Sequence, residues 1–322
     1  MAWELTVGEC AETMRAMPAD SVDAIVCDPP YGLRFMGKEF DSLGDGIAQQ
    51  EWHRAWTTEA FRVLKPGGYL MAFGGTRTYH RLVLAVEQSG FDAHGVWAWC
   101  YGSGFPKSHS IGKAIDKAAG AEREVIGEKE CGYQVSISKT RVEQGHRPNE
   151  TAATTIVPIT APATADAKKW DGWGTALKPA WEPIVIASKG TGRGLTGSEF
   201  FYCPKAPKRE RNAGLDGFEV RRPDDRTVTG MGSFEEKGVQ PQRNHHPTVK
   251  PIAAMRWLIR AASTPGSIVL DPFVGSGTTG CAAILEGRDF QGIEMNAEYA
   301  DIANHRCRHW ELEAESTPKS LF

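Results

Sequence analysis

Apolar positions fall in short blocks at both ends of the chain and thin out in its centre. At the front, residues 4–7, 22–27, 69–73 and 95–99 are apolar runs of strand length. Between them, 51–64 and 78–89 repeat apolar residues at helical spacing, the second stopped by Gly90. At the back, 252–263 predicts a helix opened near Pro251, 267–270 a strand, 278–286 a helix stopped by Gly287, 291–293 a short strand and 297–310 a last helix. A further apolar run at 181–187 reads as a strand closing the same sheet. Strands alternating with helices predict an α/β fold, a doubly wound and mostly parallel sheet whose ligands bind beyond the carboxyl ends of its strands.

The centre differs in kind. From 127 to 169 hydrophobic periodicity fades, 151–167 is a Thr/Ala/Pro tract, and 190–244 is rich in Gly, Arg and Pro, with Arg209, Arg211, Arg221, Arg222 and Arg226 dispersed through it. The organisation expected is one α/β domain from 1–100 and 245–322, with the closing strand near 181–187, interrupted by an inserted region at 101–244. Charge divides along the same lines. Of 37 Lys+Arg and 40 Asp+Glu, residues 101–256 hold 24 and 18, so a chain of net charge −3 carries a basic middle. A basic region is where a polyanion such as duplex DNA is expected to rest.

With 322 residues, 41% of them apolar, the chain can bury such a core. Seven cysteines without a C-x-x-C pair argue against a zinc site or a disulfide framework and fit a reducing cytoplasm. The N-terminus lacks a signal-peptide pattern, and no apolar run approaches the roughly twenty residues of a membrane helix. A soluble, cytoplasmic protein is expected.

Two patches carry the candidate chemistry. Asp28, Pro29, Pro30 and Tyr31 follow the run 22–27. Each proline fixes φ and removes an amide donor, so the turn presents mostly acceptors. The Asp28 carboxylate and the Pro29 carbonyl can each accept one hydrogen of an exocyclic NH2 on a planar ring, and Tyr31 can stack on that ring. The second patch is Asp271, Phe273, Gly275, Gly277 and Thr278, with Gly280 completing a G-x-G-x-x-G and Glu294 about twenty positions after it. That spacing fits a glycine-rich turn holding a nucleoside, with Glu294 on its ribose. A dinucleotide dehydrogenase using NAD(P) shares the pattern, although little chain follows the glycines and Phe273 offers an apolar wall for adenine. A P-loop is excluded because Cys281 follows Gly280.

Together these motifs resemble the S-adenosylmethionine-dependent DNA amino-methyltransferases. The order, pocket motif first and cofactor motif last, is similar to their β class, and 170–183 looks like segments of prophage-type members. The similarity includes Glu9 and Cys10 ahead of the pocket, Lys65 to Gly68, and His246 to Pro251. One position departs from the pattern, since the family commonly has Asp where Glu9 stands.

The resemblance implies a circularly permuted methyltransferase sheet and S-adenosylmethionine as cofactor, with no metal and no covalent enzyme intermediate. The partner implied is double-stranded DNA, from which the target base is flipped into the pocket. Asp28, Pro29, Pro30 and Tyr31 would be catalytic. Glu9, Cys10, Thr248, Lys250, Asp271, Phe273, Gly275, Gly277, Thr278 and Glu294 would hold the cofactor, Thr248 and Lys250 at its methionine end. Residues 101–244 would recognise the target sequence. Members of the class often form homodimers. Asp at the first pocket position is typical of adenine-N6 enzymes and Ser of cytosine-N4 enzymes, although either amino group suits the acceptors. Transfer to a protein or RNA amide is a further alternative, since related enzymes use Asn-Pro-Pro-Tyr for glutamine.

Other residues are read more plainly. Residues 32–50 are glycine-rich and suit either a mobile flap or a surface loop. His245 and His246 are expected to be solvated, and Trp97, Trp99 and Trp257 to be core. Trp170 and Trp173 suit a surface role. Cys27 and Cys281 lack a paired base and are not expected to be nucleophiles.

Overall fold

The computed structural model describes residues 2–33, 41–102, 109–131, 155–174, 180–221 and 242–316. The chain forms two compact units. The first comprises Met1–Gly104, Ala180–Val220 and Gln242–Phe322, and the second Phe105–Pro179 and Arg221–Pro241. Residues 188–220, assigned from sequence to the insertion, therefore cluster with the first unit. Arg222, Arg226, residues 34–40 and residues 175–179 lie outside the described residues.

The first unit is built on strands β1 (Trp3–Val7), β2 (Val22–Cys27), β3 (Leu64–Phe73) and β4 (Asp92–Cys100). Helices α1 (Cys10–Ala16), α2 (Ile47–Val63) and α3 (Tyr79–Gln88) connect them. The second unit holds α4 (Ile111–Ala118), an antiparallel pair β5 (Val125–Cys131) and β6 (Thr155–Thr160), and α5 (Ala165–Lys169). The chain returns to the first unit with β7 (Trp181–Ser188), β8 (Phe200–Tyr202), α6 (Lys208–Arg211), α7 (Ile252–Ala262), β9 (Ile268–Asp271), α8 (Thr278–Leu285), β10 (Asp289–Glu294) and α9 (Ala297–Ser316).

Among the described residues eight strands make one sheet in the order β1-β10-β9-β2-β3-β7-β4-β8. All neighbours are parallel except where β7 runs antiparallel between β3 and β4. This is the mostly parallel α/β sheet expected from the sequence. Strand alternation explains the two cores. On β2, Ile25 and Cys27 pack toward α1, α2 and α3, while Val26 joins the opposite cluster with α7 and α8. Ile25, Leu70 and Leu270 are fully buried, each contributing about 1.5–3 kcal/mol.

Strand β3 begins earlier than the sequence suggested, because Leu64 pairs with Val22 before Lys65, Pro66, Gly67 and Gly68 bulge out and pairing resumes at Tyr69 with Ala24. Trp97 and Trp99 are core as expected, and Trp257 stacks between Trp97 and Phe201 at centroid distances of 5.4 and 5.3 Å. Trp170 and Trp173 are exposed in the second unit. There, buried Asp116 accepts from the amides of Ala163 and Thr164 and pairs with Arg123 at 2.6 Å. Those two backbone bonds lead the influences that hold its carboxyl down at about 2, against the upward push of burial. No described helix is long and apolar enough to cross a membrane.

Candidate active site

Parallel strands β2 and β9 are neighbours, with Ile25 opposite Leu270, so the two motifs leave the sheet side by side at its carboxyl edge. At the end of β2, the Tyr31 hydroxyl donates to Glu182 Oε2 at 2.8 Å, and the Tyr31 carbonyl accepts from Gln49 Nε2 at 2.9 Å. Asp41 takes the amides of Gly32 and Leu33 at 2.8 and 3.0 Å. The described ends of the expected flap are thus tethered, and residues 47–50 belong to α2.

Lys250 Nζ donates to Asp28 Oδ2 at 2.5 Å and lies 3.4 Å from Glu182 Oε2. It also stands 5.4 Å from the Tyr31 ring centroid and 5.0 Å from that of Phe73. Asp28 Oδ1 is buried with no hydrogen-bond partner among the described residues.

Two carboxylates therefore share one ammonium. Burial pushes the Asp28 carboxyl up; Lys250 opposes this and Glu182 reinforces it. For Glu182 the same burial is outweighed by Lys250 and the Tyr31 hydroxyl, which hold it down. Burial would lower Lys250, but Asp28 and Glu182 together raise it. Burial, then Asp28 and Glu182, push the Tyr31 phenol well up, so it remains a protonated donor. The Cys27 thiol is raised by burial and by Asp271 and Asp28, which keeps it inert.

The glycine turn after β9 is held from within. Asp271 is buried, its Oδ1 accepting from Phe273 N at 2.8 Å and its Oδ2 from Thr279 Oγ1 at 2.5 Å. Burial raises its carboxyl to about 7 despite those bonds. Gly277 has φ +83°, and a Cβ there would sit 2.8 Å from Ala303 Cα of α9. A Cβ on Gly275, at φ +53°, would lie 2.7 Å from His246 Nε2. From α9, Arg306 Nη1 reaches the Ser276 carbonyl at 2.5 Å and Thr278 Oγ1 at 3.2 Å.

Glu294 ends β10, its Oε2 accepting from Gly275 N at 2.7 Å and its Oε1 from Asn296 N at 2.9 Å. Phe273 packs against Trp56 and Trp52 at centroid distances of 5.1 and 5.9 Å.

His246 corrects the sequence reading. It is packed against Tyr299 at 4.6 Å, and burial, with Lys250 and Arg211 nearby, pushes it down to about 3. A neutral ring with a buried, unpartnered Nδ1 replaces the solvated loop histidine expected. His245 likewise approaches Glu298 at 3.4 Å.

A family model described as DNA methylase matches residues 22–305, most of the chain. The chain belongs to that family of DNA methylases. Among relatives of this methylase, the DNA adenine methyltransferase YhdJ of Escherichia coli K12 is 28% identical over 308 residues, covering 92% of this chain and 82% of that protein. The type II methyltransferase M.HindIII of Haemophilus influenzae is 26% identical over 328 residues, covering 91% of each. In fold, the chain is similar to the solved PvuII DNA methyltransferase (cytosine-N4-specific), with a TM-score of 0.58, 16% identity, and coverage of 95% of this chain and 86% of that one.

The methylase's motif residues fall into two groups. Asp28, Tyr31 and Lys250 are mutually in contact, and Lys250 and His246 link that group to Gly275. Asp271, Phe273, Gly275, Gly277, Thr278 and Glu294 form the adjoining turn. Glu9 caps α1, its Oε2 accepting from Glu12 N at 2.8 Å, and Cys10 Sγ donates to its Oε1 at 3.1 Å. Gly8 N donates to the Glu294 carbonyl at 3.0 Å, which sets this cap beside the turn. Thr248 sits in the turn between His246 and Lys250.

Glu182 was missed from sequence. The only signal available was a carboxylate opening an otherwise apolar strand at Trp181, Glu182 and Pro183.

Proposed function

We propose that this methylase transfers a methyl group from S-adenosylmethionine to the N6 amino group of adenine in double-stranded DNA, with the base extruded into the pocket at Asp28 to Tyr31. The observation that carries the reading is the orphaned Asp28 Oδ1, a buried acceptor with no partner among the described residues. Buried acceptors are normally satisfied, so an unsatisfied one on the rim of the sheet is fitted to a ligand's hydrogen. One hydrogen of the amino group goes to Oδ1 and the other to the Pro29 carbonyl, which leaves the nitrogen lone pair free. Tyr31 supplies the stacking face, and its hydroxyl bond to Glu182 fixes the ring.

The glycine turn fits the nucleoside cofactor. Side chains at 275 and 277 would fill the turn, and Glu294 retains lone pairs for ribose hydroxyls after accepting its two amides. Phe273 offers an apolar wall, with Trp52 and Trp56 behind it. Thr248, Lys250, Glu9 and Cys10 complete the rim of the proposed site. When bound, the cofactor supplies an electrophilic sulfonium methyl. The chain's own work is orientation and electrostatics: positive charge growing on the amino nitrogen meets two carboxylates balanced by one lysine.

The adenine reading draws on YhdJ, named a DNA adenine methyltransferase and alignable over most of this chain, and on Asp at position 28. The likeness to a cytosine-N4 enzyme rests on fold alone. We assign target recognition to the second unit together with the basic stretch holding Lys205, Lys208, Arg209 and Arg211. Treating unmethylated DNA with the protein and cofactor, then analysing nucleosides by mass spectrometry, tests the reading. N6-methyladenine is expected, and N4-methylcytosine alone would overturn the choice of base.

A further inference from the structure

We propose that Glu182 is a positioning residue for methyl transfer, holding Tyr31 and Lys250 together so that Lys250 engages one oxygen of Asp28 and leaves the other for the base. The inference rests on the reading of residues 28–31 as the base pocket.

Glu182 enters the pocket because β7 lies between β3 and β4, with Glu182 opposite Trp99 and the Tyr101 amide donating to the Ala180 carbonyl at 2.8 Å. Its Oε2 makes both contacts, 2.8 Å to the Tyr31 hydroxyl and 3.4 Å to Lys250 Nζ. Removing Glu182 from a trio with one excess negative charge leaves Lys250 and Asp28 as a one-to-one pair, so its effect on the reaction exceeds that of a single hydrogen bond.

Without Glu182, Lys250 has only Asp28 to neutralise it among the described residues, and the acceptor aimed at the base loses basicity. Tyr31 meanwhile loses the bond that fixes its ring. Among the described residues, the groups facing Asp28 are Lys250 after the 245–249 loop, Glu182 on β7, Tyr31 and Cys27 on its own segment, and Asp271 on β9, while Glu182 itself also faces Lys205 and the Tyr101 hydroxyl. Of the negative charges, Glu182 is the one that raises the proton affinity of Asp28, after burial.

The test compares Glu182→Gln, Glu182→Asp and Asp28→Ala in single-turnover methyl transfer to unmethylated DNA across pH, with cofactor affinity by calorimetry and melting temperature as controls. Glu182→Gln is expected to slow transfer by about 100-fold, as small misplacements of reacting groups do, with cofactor affinity within about twofold. Its acid limb moves to lower pH, because burial still raises Asp28 but the added push of Glu182 is gone while Lys250 remains. Glu182→Asp, which keeps the charge, returns the limb toward the wild-type position.

A slower rate with an unmoved limb marks a merely structural role and overturns the proposal, as does an unchanged rate. Should Glu182→Gln melt early, its limb is read at a temperature where the variant is folded, and an unmoved limb there overturns the proposal. Asp28→Ala separates the two readings. If it retains turnover, the pocket assignment itself fails. If it is inactive while Glu182→Gln behaves as wild type, only the role of Glu182 is lost.

Discussion

Two aspartates stand at the carboxyl ends of adjacent parallel strands, and they have opposite fates. Asp271 spends both oxygens inside its own turn, on Phe273 N and Thr279 Oγ1. Asp28 has one oxygen on Lys250 and one without a partner among the described residues. A carboxylate whose lone pairs are consumed locally is a strut that shapes a loop. One left unsatisfied beside a lysine is an acceptor in waiting. The turn at 271–278 is accordingly a preformed cradle, and the pocket at 28–31 is a charged site completed by what it binds.

Substitution at each aspartate breaks the comparison if it is wrong. Asp28→Ala should reduce methyl transfer by about 1000-fold, the scale of losing an oriented polar group at a reacting centre, with little change in melting temperature or cofactor affinity. Retained turnover in a radiolabelled-methyl assay would refute the assignment. Gly277→Ala adds a methyl against Ala303 Cα at 2.8 Å and forces a left-handed conformation, so denaturant titration should show a loss of about 3 kcal/mol with weakened cofactor binding. Asp271→Ala orphans a buried amide and hydroxyl and should lose about 2–3 kcal/mol of stability by the same titration. Its effect on the turnover of fully bound enzyme should be far smaller than that of Asp28→Ala.

The smallest effect concerns His246, whose folded value of about 3 lies below its ordinary 6.5. The unfolded chain takes up this proton as pH falls below 6.5, and the folded chain takes it up only near 3. Its contribution is therefore complete above 6.5 and is lost progressively between those values. Between pH 7 and 5 wild type should lose about 2 kcal/mol relative to His246→Asn, and equal slopes in the two proteins would contradict the burial of this ring.

Strands at 22–27, 181–187 and 267–270 were legible because their apolar runs are buried on both faces and need no partner to be recognised. The short helix α1 was not, since in seven residues only Cys10, Ala11 and Met14 are buried, too few for a periodic signal. Strand β8 escaped for a similar reason, with three residues of which Phe200 and Tyr202 are exposed. In the site, Asp28, Tyr31 and the glycines declared themselves by type and spacing. Glu182 could not, because its meaning comes from Tyr31, 151 positions away, and from Lys250. His246 was misread because polar neighbours in sequence said nothing of Tyr299 and Gly275 closing over it.

The sheet order also bears on how the molecule is made. Among the described residues strand β1 has a single neighbour, β10, and the ion pair between residues 28 and 250 spans 222 positions. A ribosome must pass residue 294 before the first strand can dock, and residue 250 before the lysine can reach its carboxylate. Closure so distant along the chain is slow. A product that ends before position 250 therefore carries the aspartate without its lysine, and its pocket lacks the charge that balances it.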